Sequence, residues 1–218
     1  MTIHKEGSKI ILSVWAIGLT IMGLNFLLIH NIYGNCTVAA LCLFLMLFVL
    51  FFFRVPKRKT VKEDNYVTSV ADGEVVIIDK VYEPEYFKTE VIQVSIYMNF
   101  FNVHVNFWPI DGEVTYYKYH PGRYMLAFLP KASELNEHAS VAIRSKYGDV
   151  FFKQLAGTFA RRIVTYANIG SSEKKGTQCG IIKFGSRIDM YFPLGTEIAV
   201  NLGDNVKACE SVIAKFNS

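Results

Sequence analysis

At 218 residues the chain has room for one ordinary domain and an appendage. A net charge of +4 demands no nucleic-acid partner, and four cysteines without a C-x-x-C pair argue against a disulfide framework and a zinc site. The hydrophobic fraction of 51% is high for a soluble domain, and the excess lies near the N-terminus.

Residues 10–29 read IILSVWAIGLTIMGLNFLLI and residues 37–53 read TVAALCLFLMLFVLFFF. A helix needs roughly 20 apolar residues to cross a hydrocarbon core, and the second run is near the lower limit of about 17. Its unbroken apolar stretch offers no polar face, as a surface helix would. The segment between the runs, His30 to Cys36, carries no Lys or Arg. Lys5 and Lys9 precede the first run, and Arg54, Lys57, Arg58, Lys59 and Lys62 follow the second. This asymmetry predicts a transmembrane hairpin over residues 1–59, with both flanks at the cytoplasmic side of the cell membrane. The competing reading is a signal peptide, but the first run is too long and lacks a small-residue cleavage site.

From residue 60 to 218 the pattern turns to short alternating segments. Strands are expected over Glu74–Asp79, Val91–Tyr97, Glu113–Tyr117, Tyr124–Phe128, Ser140–Arg144 and Val150–Lys153. Asp72-Gly73, Asp111-Gly112, Pro121-Gly122 and Gly148-Asp149 supply turns. Apolar spacing predicts one helix over Leu155–Tyr166. Strands return over Cys179–Phe184, Arg187–Phe192, Glu197–Asn201 and Glu210–Lys215. The fold class is therefore a mostly β (α+β) cytoplasmic domain behind an N-terminal two-helix transmembrane hairpin.

Gly185-Ser186 lies between two of these apolar runs. A serine hydroxyl becomes a nucleophile once a base takes its proton. For Ser186 a nearby electrophile is the carbonyl of Gly185, and glycine tolerates the distorted backbone that such an attack needs. Attack converts the amide to an ester, β-elimination leaves dehydroalanine at 186, and hydrolysis yields a pyruvoyl group and ammonia. His104 is the candidate base, and Asp72 is the candidate to orient it. Each has a plainer reading: Gly-Ser and Asp-Gly are common turns, and a lone strand histidine is usually structural. Asp111-Gly112 is a second such step. His4, His30, His120 and His138 are poorer candidates for the base. Scattered histidines and unpaired cysteines form no ligand set along the chain, so no metal is expected. On the residues alone three readings stay open: a self-processing lyase, a membrane-anchored serine hydrolase, and a non-catalytic β-sandwich binding module.

An ordered series of motifs narrows these. Phe53-Arg54-Val-Pro-Lys-Arg58, Ala71-Asp-Gly73, Val103-His-Val-Asn106, Ala132-Ser-Glu-Leu-Asn-Glu137, Gln154-Leu-Ala-Gly-Thr-Phe-Ala-Arg-Arg-Ile163 and Lys183-Phe-Gly-Ser-Arg-Ile-Asp189 run through the chain. Together they resemble phosphatidylserine decarboxylase of the short bacterial and archaeal class, over essentially the whole length. The resemblance implies a proenzyme that breaks between Gly185 and Ser186 into a β chain, residues 1–185, and an α chain, residues 186–218, from the same precursor. It implies Asp72, His104 and Ser186 as the processing triad, and pyruvate, as a covalent pyruvoyl group on residue 186, as the cofactor. That group would form a Schiff base with the amine of phosphatidylserine in the membrane and accept electrons as carbon dioxide leaves, giving phosphatidylethanolamine. Arg161 and Arg162 become candidates for the phosphodiester. A homo-oligomer is compatible with this reading.

Overall fold

The structure is a computed structural model that describes residues 1–123, 135–157, 162–183 and 186–217. It divides into two compact units, Met1–Lys57 and Arg58–Ser218.

In the first unit, helices span Ser8–Leu28 and Ile32–Phe52. The second starts five residues before the apolar run because Asn31 caps it: its Oδ1 accepts the backbone N–H groups of Tyr33 at 2.9 Å and Gly34 at 3.3 Å. The helices approach closely at Gly18, where a Cβ would stand 3.3 Å from Met46 Sδ. Near the turn, Asn25 Nδ2 donates to Asn35 Oδ1 at 2.7 Å. Phe26, Leu27, Leu41 and Phe44 remain more than half exposed. Both helices are long and apolar enough to cross a membrane.

The second unit is built on an eight-stranded antiparallel sheet that curls around a core. In spatial order its strands are Ser172–Glu173, Gly112–His120, His138–Arg144, Asp149–Ala156, Ser186–Pro193, Thr89–Met98, Gly73–Glu83 and Asn205–Val206. A three-stranded sheet joins Ile163–Thr165, Gln178–Ile182 and Val105–Phe107. Another joins Glu197–Ile198, Val212–Lys215 and Tyr66–Thr68. The mostly β domain and the two apolar helices agree with the fold read from the sequence.

Successive strand side chains face opposite ways. On one face of the large sheet Val94, Ile96, Met98, Ile188, Met190 and Phe192 enter the main apolar core, where each contributes about 1.5–3 kcal/mol of burial. The other face carries a small apolar cluster around Phe151 and Tyr191. It also buries polar groups, among them Gln93, Ser95, Ser140, Lys153, Arg187 and Asp189. Two β-bulges, between Val75 and Ile77 and between Val114 and Tyr116, shift the alternation in strands on either side of the sheet centre. Val75 and Val114 point into the core, yet the strand ends beyond them turn Glu83 and His120 to the polar face.

The expected helix over Leu155–Tyr166 is not formed at its ends. Leu155 and Ala156 finish one strand, and Ile163–Thr165 form another that pairs with Gln178–Ile182. The β-branched Ile-Val-Thr run fits a pleated surface better than a helix. Residues 158–161 lie outside the described residues, as do the expected strand Tyr124–Phe128 and Phe184 at the end of another. The last expected strand begins late, at Val212, because residues 208–210 turn with Cys209 at φ 67°.

On the polar face Arg187 Nε donates to Asp189 Oδ1 at 2.7 Å and Nη2 to Oδ2 at 2.9 Å, with both residues fully buried. Asp189→Asn removes the bidentate charge partner of a buried guanidinium and should lower unfolding stability by about 3–5 kcal/mol. Arg187→Met combined with Asp189→Leu should recover most of that loss. Urea midpoints of the three proteins check both statements.

Candidate functional site

Ser186 opens an inner strand of the large sheet, opposite Met98 on one neighbour and Ala156 on the other. It is 0% exposed. Its hydroxyl reaches Met98 Sδ at 3.8 Å, a weak acceptor that holds it loosely. Ala156 is itself clamped: its carbonyl accepts from Asn136 Nδ2 at 2.8 Å, and its N–H donates to Glu137 O at 2.9 Å. The Asn-Glu step singled out in the sequence thus fixes the strand end beside Ser186.

His104 is also 0% exposed and leads into the Val105–Phe107 strand. Its Nδ1 lies 3.0 Å from Asn102 O. Donation from Nδ1 to that carbonyl assigns the proton there and places the imidazole lone pair on Nε2. The His104 carbonyl accepts from Ile182 N at 3.3 Å, four residues before Ser186.

Asp72 is 8% exposed, on the bend before Gly73–Glu83. Its carboxylate pairs with Arg58 and accepts the Ala208 N–H at 2.9 Å. Two residues earlier, the Val70 carbonyl accepts from Phe107 N at 2.9 Å, on the strand that His104 introduces. Gly73 begins a strand rather than turning the chain, and a Cβ there would strike the Tyr97 carbonyl. The structure also separates the two Asp-Gly steps. Asp111 is partly exposed and bound to the Lys175 N–H at 2.7 Å and to Lys174 Nζ at 3.0 Å. Burial pushes the Asp111 carboxyl up, but those partners outweigh it and hold the group below its usual range.

Ser186, His104 and Asp72 therefore sit buried on adjoining segments of one unit. Gly185 and Arg161 lie outside the described residues. Arg162 is exposed, and its carbonyl accepts from Lys183 N at 3.2 Å.

Two further groups stand out only in three dimensions. Gln154 Nε2 donates to Asn106 Oδ1 at 2.8 Å, with both side chains fully buried. Gln154 lies beside Ile188 in the sheet and shares the face of Ser186. Among the described residues Asn106 Nδ2 and Gln154 Oε1 have no partner. Buried polar atoms are normally satisfied, so a donor and an acceptor left over beside a site mark room for a ligand or water. Both residues belong to motifs quoted above, which was the available signal. On the opposite face, Glu85, His120 and His138 converge although they are far apart along the chain. Burial pushes the Glu85 carboxyl up, but His120, Lys153 and Ser140 outweigh it and hold the group at about 2.

Comparison with known proteins adds independent information. Residues 45–214 match the family described as Phosphatidylserine decarboxylase. Similar curated proteins include the phosphatidylserine decarboxylase proenzyme of Amoebophilus asiaticus, 44% identical over 100% of this chain and 98% of the relative. Proteins of the same name are 39% identical in Cytophaga hutchinsonii, over 100% of both chains, and 41% identical in Bacteroides thetaiotaomicron, over 98% of this chain and 95% of the relative.

Gln154→Leu removes the donor to Asn106 and leaves that buried amide unpaired. The expected cost is about 1–3 kcal/mol of stability. Asn106→Leu in the same chain should return part of it. A double-mutant cycle on urea midpoints measures the coupling.

Proposed function

The chain belongs to the phosphatidylserine decarboxylase family, and on that premise we propose that it converts phosphatidylserine to phosphatidylethanolamine and carbon dioxide with a pyruvoyl group made from its own Ser186. The observation that carries this reading is the complete burial of Ser186 and His104. A hydroxyl held against its own backbone and walled off from bulk water suits attack on the adjoining carbonyl of its own chain.

Processing starts when His104 Nε2 takes the Ser186 hydroxyl proton and Oγ attacks the Gly185 carbonyl carbon. The C–N bond to Ser186 breaks and an ester bond replaces it. Loss of the Ser186 Cα proton then breaks the Cβ–O bond, and residues 1–185 leave as a carboxylate. Water displaces ammonia from the remaining enamine, and residues 186–218 begin with a pyruvoyl group. The site fits this group, because it is formed from atoms already seated against Met98, and Asn106 Nδ2 offers a buried donor. When formed, it supplies an electron sink for carbon dioxide loss.

The residues around it have separable tasks. Asp72, held by Arg58 and the Ala208 amide, keeps negative charge near the His104 segment. His104 holds the proton that the product carbon needs once carbon dioxide has left. Arg162, with Arg161, meets the phosphodiester. Residues 1–59 anchor the chain in the cell membrane and residues 60–218 work at its cytoplasmic face, so the lipid substrate is reached without leaving the bilayer. The β and α chains of one precursor form the working unit.

Carbon dioxide release from phosphatidylserine labelled in the serine carboxyl tests this directly. The wild type should release label, and Ser186→Ala should fall to background. Asp72→Asn should slow both processing and turnover, by about 10²-fold or more if it orients the base. Retained activity in Ser186→Ala would overturn the reading. For topology, in a Cys36→Ser background that removes the native thiol of the outer turn, a His30→Cys chain should react with a membrane-impermeant maleimide added to intact cells, and a Lys62→Cys chain should react only after lysis.

A further inference from the structure

We propose that Glu85, His120 and His138 form a binding site for a divalent transition-metal ion of the borderline class that includes Zn²⁺, on the sheet face opposite Ser186. Their donor atoms all lie within 4.8 Å of one another. Two imidazoles and a carboxylate are a common donor set for such ions, with water completing the coordination.

The backbone makes the cluster. His120 and His138 stand directly opposite each other on neighbouring antiparallel strands, so their side chains share a face. The rings stack at 4.4 Å with an interplanar angle of 15°. This pairing depends on the bulge at Val114/Tyr116, since an unbroken alternation from Val114 would turn His120 into the apolar core. Glu85 enters from the turn after the Gly73–Glu83 strand, where the Glu83 carboxylate accepts the N–H groups of Glu85, Tyr86 and Phe87 and holds that turn rigid.

The partners around these groups prepare them. His138 Nδ1 lies 2.7 Å from Asn136 O, an interaction that fixes the proton on Nδ1 and aims the Nε2 lone pair at the cluster. Glu85 Oε2 accepts from Ser140 Oγ at 2.9 Å and faces Lys153 Nζ at 3.1 Å. Oε1 is left on the imidazole side, 2.6 Å from His120 Nε2 and 3.1 Å from the Tyr116 hydroxyl. The three residues also line a cavity of about 680 Å³, which gives an ion a route in and space for water.

The ion takes the place of the proton shared by His120 Nε2 and Glu85 Oε1, and that proton moves to His120 Nδ1, so the ring binds as a neutral imidazole. Bonds of roughly 2.0–2.1 Å place tetrahedral donors roughly 3.3 Å apart, so Glu85 Oε1 and His120 Nε2 must open from 2.6 Å and the stacked rings must tilt until one point lies in both ring planes. Lys153 stays on the far carboxylate oxygen, so its positive charge weakens the hold on a cation. The ion staples the Glu85 turn to two strand ends and lies apart from the Ser186 side of the sheet, which makes this inference independent of the proposed reaction.

The test is a Co²⁺ titration of the purified full-length protein in detergent after chelator treatment, with Zn²⁺ competition. The expected result is one saturable equivalent and visible d–d bands without a thiolate charge-transfer band. His120→Asn and His138→Asn should each weaken binding by about tenfold or more, and His30→Asn should leave it unchanged. An absence of saturable binding, a thiolate band that places the ion on cysteines, or unchanged affinity in both cluster variants would overturn the proposal. The stoichiometry and band shape come from the unaltered protein, so they decide the matter even if a variant does not fold.

Discussion

Strict alternation along the Ser186–Pro193 strand governs the rest of the catalytic unit. Ser186, Ile188, Met190 and Phe192 face the apolar core, while Arg187, Asp189 and Tyr191 face the polar side. A slip of one residue against either neighbour would carry the Arg187 guanidinium to the place of the Ser186 hydroxyl. Three things resist that slip. The apolar side chains fill the core in this register, the bidentate Arg187–Asp189 pair is buried on the far face, and both neighbouring strands are hydrogen-bonded along the pairing. The buried ion pair is costly in isolation, and its value here lies in specifying register.

That constraint explains why the sequence was readable in some places and opaque in others. Period-two alternation marked Thr89–Met98 and Ser186–Pro193 because each has one face in the core. The Leu155–Tyr166 segment misled because its apolar residues also recur at helical spacing. Its true partner, the Gln178–Ile182 strand, is a tertiary fact that periodicity does not carry. The chemistry-bearing types at Asp72, His104 and Ser186 were visible as motifs, but their burial and the Asn106–Gln154 pair were not. His120 and His138 looked unrelated because a bulge, invisible in composition, decides which face His120 takes.

The two faces divide the work of the molecule. The core side holds a serine hydroxyl and an imidazole away from water, as the proposed self-processing requires. The polar side holds charged and aromatic side chains in a satisfied network around Glu83, Glu85 and Lys153. The N-terminal helices form a separate compact unit whose exposed apolar surface is suited to lipid. Family membership and a buried Ser186 are independent lines that converge on a proenzyme chemistry.

Intact-mass spectrometry of the purified chain beside its Ser186→Ala variant tests that chemistry most directly. The account predicts two wild-type fragments, residues 1–185 and residues 186–218, the smaller lighter by one ammonia than a serine-started peptide, and a single uncleaved variant. A wild-type chain that stays whole in a membrane-like environment, or a small fragment that begins with an unmodified serine, would contradict it.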